Sequence, residues 1–355
     1  MFFSGWMARR YGAALAVALA AVTGLLSCSS NERTKTLRGP AMGSTFSVTV
    51  VDAPRDLSMR SIERAIADIL ATINSRFSNW DPDSEISMFN RQAAVDPLIL
   101  SPAWRDLLDT ADEIHLASEG TFDLTLGPLV ELWGFGAPGP RRRAPADSLI
   151  LDALQHIGQR RVLKRSQDGS TLIKVDPKAT LYVAGIAKGT GIDAIAAELT
   201  HLGVQNFMVE IGGDLVVSGN GPSGAGWRIA VEKPVPGIRE VEEIIVISDV
   251  GVATSGDYRN YFEENGVRYS HILDGRTGRP VTHRTASVTV VAQDGATADA
   301  WATALLAMGR ERGLKLAETM GLAALFIDKS TQDETFSFER YASPAFEIYR
   351  RNQHD

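Results

Sequence analysis

The chain has 355 residues, with 36 Lys plus Arg against 43 Asp plus Glu and a formal net charge of −7. Hydrophobic residues make up 44% and charged residues 22%, a globular profile that excludes a disordered or collagen-like chain. The acidic balance speaks against nonspecific nucleic-acid binding, and a single Cys excludes an intramolecular disulfide framework and a Cys-rich zinc site.

Arg9 and Arg10 precede an apolar stretch, Tyr11 to Leu26, that ends in Leu25-Leu26-Ser27-Cys28. A charged start, an apolar centre and small residues at the end read as a secretory signal over residues 1–27. The stretch is shorter than the roughly 20 residues that a membrane-crossing helix needs. Cys28 follows it directly, the lipobox arrangement of a bacterial lipoprotein, so Cys28 is the expected lipidation site. Residues 28–38 read as acylated Cys and polar tether, and the body runs over 39–350. Acyl chains at Cys28 would hold that body at a lipid bilayer. The expected place is the periplasmic side of the inner or outer membrane of a Gram-negative bacterium.

In the body, Phe46, Val48 and Val50 alternate with Ser47, Thr49 and Val51 as in a strand. Over 58–77, Ile62, Ile66, Ile69, Ile73 and Phe77 recur at helical spacing, with Ser58 as N-cap. Ser101-Pro102 opens a second helix, with Trp104, Leu107, Leu108, Ala111 and Ile114 on one face. Residues 134–148 form a Gly/Pro-rich loop that holds the solvated run Arg141-Arg142-Arg143 and is the best candidate for a domain boundary. A helix is expected over 188–202, then strands at 206–211, 214–218, 227–232, 244–249 and 286–292. A helix at 295–308 and a strand at 322–327 follow. Strands joined by short turns predict an α/β to α+β body with a mixed β-sheet flanked by helices, not an all-parallel one.

Five segments carry chemistry. Gly39 to Thr45, with Met42, is built of small residues that let a ligand approach the backbone, or simply make a tight turn. Phe77 to Ser87 starts a short helix at Asp83-Ser84-Glu85; its Trp80 fits a core position or a stack on a planar ring. Ala184-Gly185-Ile186-Ala187-Lys188-Gly189 is a strand–helix turn with an exposed Lys, or opens a helix whose N-terminal N–H groups and Lys188 favour an anion, without being a Walker A motif. Glu210-Ile211-Gly212-Gly213-Asp214 reads as a hairpin turn with solvated acids, or with Glu210 free to bond a ribose or adenine. The richest segment joins Thr254-Ser255-Gly256-Asp257-Tyr258, His271-Ile272-Leu273-Asp274 and Ala298-Asp299-Ala300-Trp301-Ala302-Thr303. Asp299 and Thr303 share one helix face, either as a Thr satisfied on its own helix near an N-terminal Asp or as a partial site for a hard cation such as Mg²⁺. His271 alone among the six His lies in a dense polar and Gly motif; the others read as structural or exposed.

This ordered set, together with Gly120-Thr121-Phe122-Asp123-Leu124-Thr125, resembles the ApbE family of FAD:protein FMN transferases over roughly residues 38–330. The resemblance implies an ApbE-like, T-fold-related body with a nucleotide cleft between two subregions. It implies Mg²⁺-dependent transfer of FMN from FAD to a Thr or Ser hydroxyl of a target protein, with AMP released. The targets it implies are membrane subunits of Rnf and Na⁺-pumping quinone reductase (Nqr-like) complexes, with a motif of the type Asp-Xaa-Ser/Thr-Gly-Ala/Ser-Ser/Thr. Asp299, Thr303 and the carbonyl of Ala184 match the family's Mg²⁺ ligands. His271 is the matching general base, and Asp257 either orients the pyrophosphate or takes the proton itself. Lys188 would balance phosphate charge, Met42 and Trp80 contact the flavin, and Glu210, Gly212, Gly213 and Ser255 line the nucleotide cleft. Tyr182 stands where the family commonly has Asp, and Gly275 where it has Pro. An FAD pyrophosphatase yielding FMN and AMP would use the same groups with water as nucleophile. A non-catalytic FAD-binding lipoprotein would need neither base nor metal.

Overall fold

Met42 and Gly43 both adopt left-handed backbone angles, φ 48° and 75°, and turn the chain from β1 (Thr34–Ala41) into β2 (Ser44–Val51). The computed structural model describes residues 33–92, 96–137, 139, 143–330 and 337–351. Residues 1–27, read as a secretory signal, Cys28, Arg141 and Arg142 lie outside the described residues. No helix among the described residues is long and apolar enough to cross a membrane. The tether read over 28–38 is shorter in the fold, because residues 34–38 pair with 47–51 as a strand. Their polar composition hides a pairing that Thr36 supports through a 3.0 Å hydroxyl contact with Thr49, while Leu37 packs inward.

Further along come β3 (Asn206–Ile211), β4 (Asp214–Ser218), β5 (Trp227–Glu232), β6 (Val241–Ile247), β7 (Val250–Gly256), β8 (Tyr261–Glu264), β9 (Val267–Ser270), β10 (Thr285–Ala292), β11 (Ala323–Lys329) and β12 (Phe338–Ala342). An eight-stranded sheet runs β1-β2-β3-β4-β7-β10-β11-β12, with every neighbouring pair antiparallel. The α+β end of the expected range is therefore realised, since all seven neighbouring pairs are antiparallel and three of them, β1–β2, β3–β4 and β11–β12, are consecutive strands.

The helices are α1 (Met59–Phe77), α2 (Glu85–Arg91), α3 (Pro102–Ala117), α4 (Gly127–Leu132), α5 (Asp147–Leu154), α6 (Ala187–His201), α7 (Gly295–Met308) and α8 (Arg310–Met320). Ser58 caps α1 by accepting the Ser61 N–H at 3.1 Å, and Ile62, Ile66, Ile73 and Phe77 are buried on its inner face. The helices cover one face of the sheet, with Val288 and Val290 of β10 beneath α7. On the other face Leu325, Ile327 and Val291 pack against Trp227, Ile229 and Ile245 of the β5–β6 hairpin. Strand β10 is thus buried on both sides, although Thr285, Ser287 and Thr289 are interspersed with its apolar residues.

Helix α7 is the central pillar. Ala298, Ala300, Ala302 and Ala304 are fully shielded, and their short side chains let α7 lie close to β7, β10 and α6. Burial of Leu305 and Leu306 contributes about 1.5–3 kcal/mol each. At the crossing with α6, Gly189 lies directly on the backbone of Gly295. Asp193 of α6 caps the start of α7, accepting Gly295 N–H at 2.7 Å and Ala296 N–H at 2.8 Å.

The loop at 134–148 is not a domain boundary. Leu129, Val130 and Trp133 before it share one core cluster with Ile150, Ala153 and Ile157 after it, and with Phe262 and Leu273. Trp133 also donates its indole N–H to the carbonyl of Gly278 at 2.8 Å.

Candidate active site

A cavity of about 350 Å³ opens where the start of α6, the inner face of α7, the end of β7 and the β3–β4 turn converge. Ala184, Gly185, Lys188, Gly212, Ser255, His271, Asp299 and Thr303 all line it. The sequence motifs, spread over more than a hundred residues, are brought to one place.

Asp299 is 3% exposed, and its Oδ2 accepts the backbone N–H of Gly189 at 3.1 Å. Burial pushes its pKa up, against the opposing pull of Lys188 and of the N–H groups of Gly189 and Lys188. One turn further on, the Thr303 hydroxyl lies 3.2 Å from that of Ser255. Gly185 presses so closely on Thr303 that a Cβ at 185 would sit 3.0 Å from the hydroxyl oxygen. The glycine thereby brings the backbone of 184–185 beside the Asp299–Thr303 face. A carboxylate, a hydroxyl and a backbone carbonyl form an all-oxygen donor set, which suits Mg²⁺. Among the described residues there is no cluster of three His, Cys, Asp or Glu, and of the three donors just named only Asp299 is anionic.

Lys188 forms an ion pair with Asp214, and its Nζ is 3.8 Å from Asp299 Oδ1. The expectation that the acids of the β3–β4 turn are solvated fails for Asp214. It is 2% exposed, and its second oxygen accepts Thr254 N–H at 2.9 Å. Glu210 is used locally, accepting the N–H of Gly213 at 2.6 Å and so closing its own turn. Gly212 lines the cavity, whereas Gly213 and Glu210 line a neighbouring groove.

His271 is half-buried and meets the ring of Phe135 edge-on at 6.3 Å between centroids. Its Nδ1 is 3.0 Å from the carbonyl of Asn260. A carbonyl only accepts, so Nδ1 carries the hydrogen and Nε2 holds the lone pair. Burial lowers the pKa of His271 from its usual 6.5, and Lys188 lowers it further, against the Asn260 bond and the charge of Asp257.

Asp257 is not brought to the cavity wall. Its Oδ2 accepts from Lys329 Nζ at 2.6 Å and lies 3.9 Å from Arg268 Nη1. The alternation along β7 turns Ser255 toward α7, while the next bend sends Asp257 toward β11. Met42 is likewise set back, with its sulfur 3.3 Å from where a Cβ on Gly191 would stand. Trp80 is 58% exposed, so the core alternative falls, and its ring lies 6.0 Å from that of Tyr182. Tyr182 does line the cavity, and burial pushes its hydroxyl pKa up to about 12.

Sequence reasoning missed several wall residues. Thr121 lines the cavity, and its Oγ1 is buried without a hydrogen-bond partner. Its loop is fixed by Asp123, which accepts Thr125 N–H at 2.7 Å and Gln159 N–H at 3.0 Å. The motif around Thr121 was visible, but nothing local gave it a role. Arg259 also lines the cavity, donating to the Gly212 carbonyl at 3.2 Å.

The family model described as ApbE family matches residues 42–326. The chain belongs to the ApbE family. An FAD:protein FMN transferase of Vibrio cholerae is 39% identical over 338 residues, 94% of this chain and 98% of its own. One of Haemophilus influenzae is 36% identical over 88% of this chain and 91% of its own. The solved flavin transferase ApbE from Vibrio cholerae superposes with a TM-score of 0.81 at 37% identity, covering 89% of this chain and 99% of its own. The apo flavinyl transferase ApbE of Pseudomonas stutzeri gives 0.80 at 36% identity, over 89% of this chain and 96% of its own. The ApbE match takes in every cavity residue named above.

Proposed function

We propose that this chain is an FAD:protein FMN transferase, releasing AMP from FAD as it attaches FMN to a Ser or Thr hydroxyl of another protein. One observation carries the reading: Lys188, His271, Asp299 and Thr303 line a single cavity in a chain whose family relatives of that name match it almost end to end.

In this mechanism the hydroxyl oxygen attacks the phosphorus of the FMN half. The new O–P bond forms as the bond from that phosphorus to the bridging pyrophosphate oxygen breaks, and AMP leaves with that oxygen. The hydroxyl proton passes to Nε2 of His271, which is unprotonated near neutral pH because burial holds its pKa down. Asp257, held by Lys329, acts on His271 through charge from behind the wall and limits that depression. Lys188 places an ammonium beside the phosphates, and Asp214 holds it there. The Thr121 hydroxyl and the Gly212 backbone face the nucleotide.

Asp299, Thr303 and the Ala184 carbonyl would hold Mg²⁺, which supplies neutralisation of pyrophosphate charge when bound. Cys28 would carry the acyl chains, tethering the enzyme at the periplasmic face of a membrane. Membrane acceptors of the Rnf or Nqr-like kind, with the Asp-Xaa-Ser/Thr-Gly-Ala/Ser-Ser/Thr motif, would then lie in the same thin layer. The sequence of the first 28 residues supports the anchor. The test incubates residues 29–355 with FAD, MgCl₂ and a soluble acceptor domain carrying the motif, then weighs the acceptor by mass spectrometry, with an EDTA control. The expected result is an FMN adduct and AMP, both lost with EDTA. Free FMN and AMP without adduct would indicate the pyrophosphatase, and bound, intact FAD a storage protein.

A further inference from the structure

Two hollows meet at Arg259. One is the cavity just described; the other is a groove of about 440 Å³ between the β3–β4 turn and the loop that joins β5 to β6. Ser44, Gly212 and Arg259 belong to both walls. Arg259 donates through Nη1 to the Gly212 carbonyl and through Nη2 to Glu232, each at 3.2 Å, and so ties the turn to the end of β5. At Gly212 the partition has no side chain. A Cβ there would lie 3.2 Å from Ser44 Oγ and 3.8 Å from Lys188 Cδ. The inner end of the groove is thus one side chain away from Lys188, and Asp299 lies 3.8 Å beyond the Lys188 ammonium.

The outer rim is preformed. Lys233 N–H bonds the Glu240 carbonyl at 2.9 Å and Val235 N–H bonds the Lys233 carbonyl at 2.8 Å, closing the loop on itself. Val235 is buried beneath it, and Ile238 is left 53% exposed at its tip. The acids of the groove are engaged, Glu210 by Gly213 N–H and Glu232 by Arg259. Arg239, with 93% of its side chain exposed, reaches Glu232 only at 4.0 Å. The rim therefore offers an apolar side chain and a cation to the solvent, beside a partition that is thin at Ser44 and Gly212.

We propose that this groove docks the acceptor protein, as an extended polypeptide segment that delivers its Ser or Thr hydroxyl past Ser44 and Gly212 to Lys188. The inference rests on the transferase reading and assigns that reaction's second substrate to a surface. The reaction has two substrates, and a macromolecular one must reach the phosphates through a trough continuous with the surface. The groove is open to the surface and shares three wall residues with the cavity, so at its inner end only Ser44, Gly212 and Arg259 separate it from the cavity. An apolar side chain of the acceptor would cover Ile238, and a carboxylate would pair with Arg239.

The test uses the double variant Ile238→Asp/Arg239→Glu, both exposed positions outside the cavity wall. Its FMN transfer is measured against concentration of a soluble Rnf-type subunit domain, and its FAD affinity by quenching of flavin fluorescence. The expected result is a rise of tenfold or more in KM for the acceptor, with kcat and FAD affinity within twofold of the parent. An unchanged acceptor KM would overturn the proposal. So would a tenfold loss of FAD affinity, which would give the groove to the nucleotide. A second readout needs no turnover. A benzophenone amino acid at Ile238, in an Asp299→Ala background, should capture the acceptor domain under light, and one at Met320 beside β11 should not. Capture in a protein whose parent transfers no FMN would sink the transferase reading and leave the docking surface standing. Transfer by the parent without capture at 238 would do the reverse.

Discussion

Lys188 Nζ stands 3.8 Å from Asp299 Oδ1 while the same ammonium is ion-paired to Asp214. Both carboxylates are buried, with side chains 3% and 4% exposed, so one cation answers two anions. The residual negative charge is what a divalent cation would neutralise, and burial of the Asp299 carboxylate raises its pKa.

Replacing Asp299 with Asn separates charge from shape. The amide oxygen can still accept the Gly189 N–H, and no charge is left to bury, so the fold should be as stable as the parent or more so. Transfer should fall by about 10²–10³ or more, the scale of losing one preorganised electrostatic group. Thermal melting with and without MgCl₂ gives a readout independent of turnover. The parent should melt higher with the ion, since binding to the native state stabilises it, and Asp299→Asn should show no such rise. An equal rise in both would remove Asp299 from the metal site.

Asp214→Ala tests the holder of the lysine. It removes the partner of Lys188 and the acceptor of Thr254 N–H together. The expected loss is about 2 kcal/mol of stability, read from urea unfolding, because bonds to a buried charged group are worth about 1.5–3 kcal/mol each and Lys188 is partly solvated. Transfer should drop as well, with Lys188 drawn onto Asp299.

These two carboxylates differ in how well the sequence displays them. Asp299 and Thr303 are four apart on an apolar helix, so their shared face follows from periodicity alone. Asp214 follows a Gly-Gly turn, where acids are usually solvated. Its burial depends on Lys188, which arrives from a helix 26 residues earlier in the chain. The same limit applies elsewhere. Strand β1 is the edge of the sheet, where polar residues are tolerated, and so its residues 34–38 read as tether. The loop at 134–148 looks like a linker because of its Gly and Pro, but the packing of Trp133 and Ile150 in one cluster is a long-range fact. Asp257 sits inside a motif that looks catalytic, and only the fold shows its carboxylate turned to Lys329.

The pH dependence of transfer should have an acidic limb set by His271. The base works only when Nε2 is unprotonated, so the rate rises as pH climbs through its pKa and is flat above it. Burial places that pKa below 6.5, and the limb of kcat/KM should inflect there. The groups that set it are Asp257, Lys188 and the Asn260 carbonyl, with Phe135 against the ring. Lys329→Met leaves the charge of Asp257 less compensated, which favours the imidazolium and should move the limb to higher pH. An inflection unmoved by Lys329→Met would mean that Asp257 does not act on His271.

Asp193 gives a stability test far from the chemistry. Burial pushes its pKa up from 3.8 to about 6, with Asp294 and Asp299 adding repulsion and the N–H groups of Ala296 and Gly295 opposing. Between those two values the native state binds more protons than the unfolded chain, so this residue's contribution to stability falls as pH rises from about 4 to about 6. Above that window the cost is complete, and below it the cost is absent. Asp193→Asn cannot titrate and should lack this slope, while losing one of the two capping bonds to α7 at every pH. Melting temperatures of parent and variant, compared across pH 4 to 7, should therefore differ most at the acid end. The parent should lead there, and its lead should shrink or reverse toward neutrality. Parallel curves would mean that Asp193 is ionised throughout, with the paired N–H groups at the start of α7 outweighing its burial.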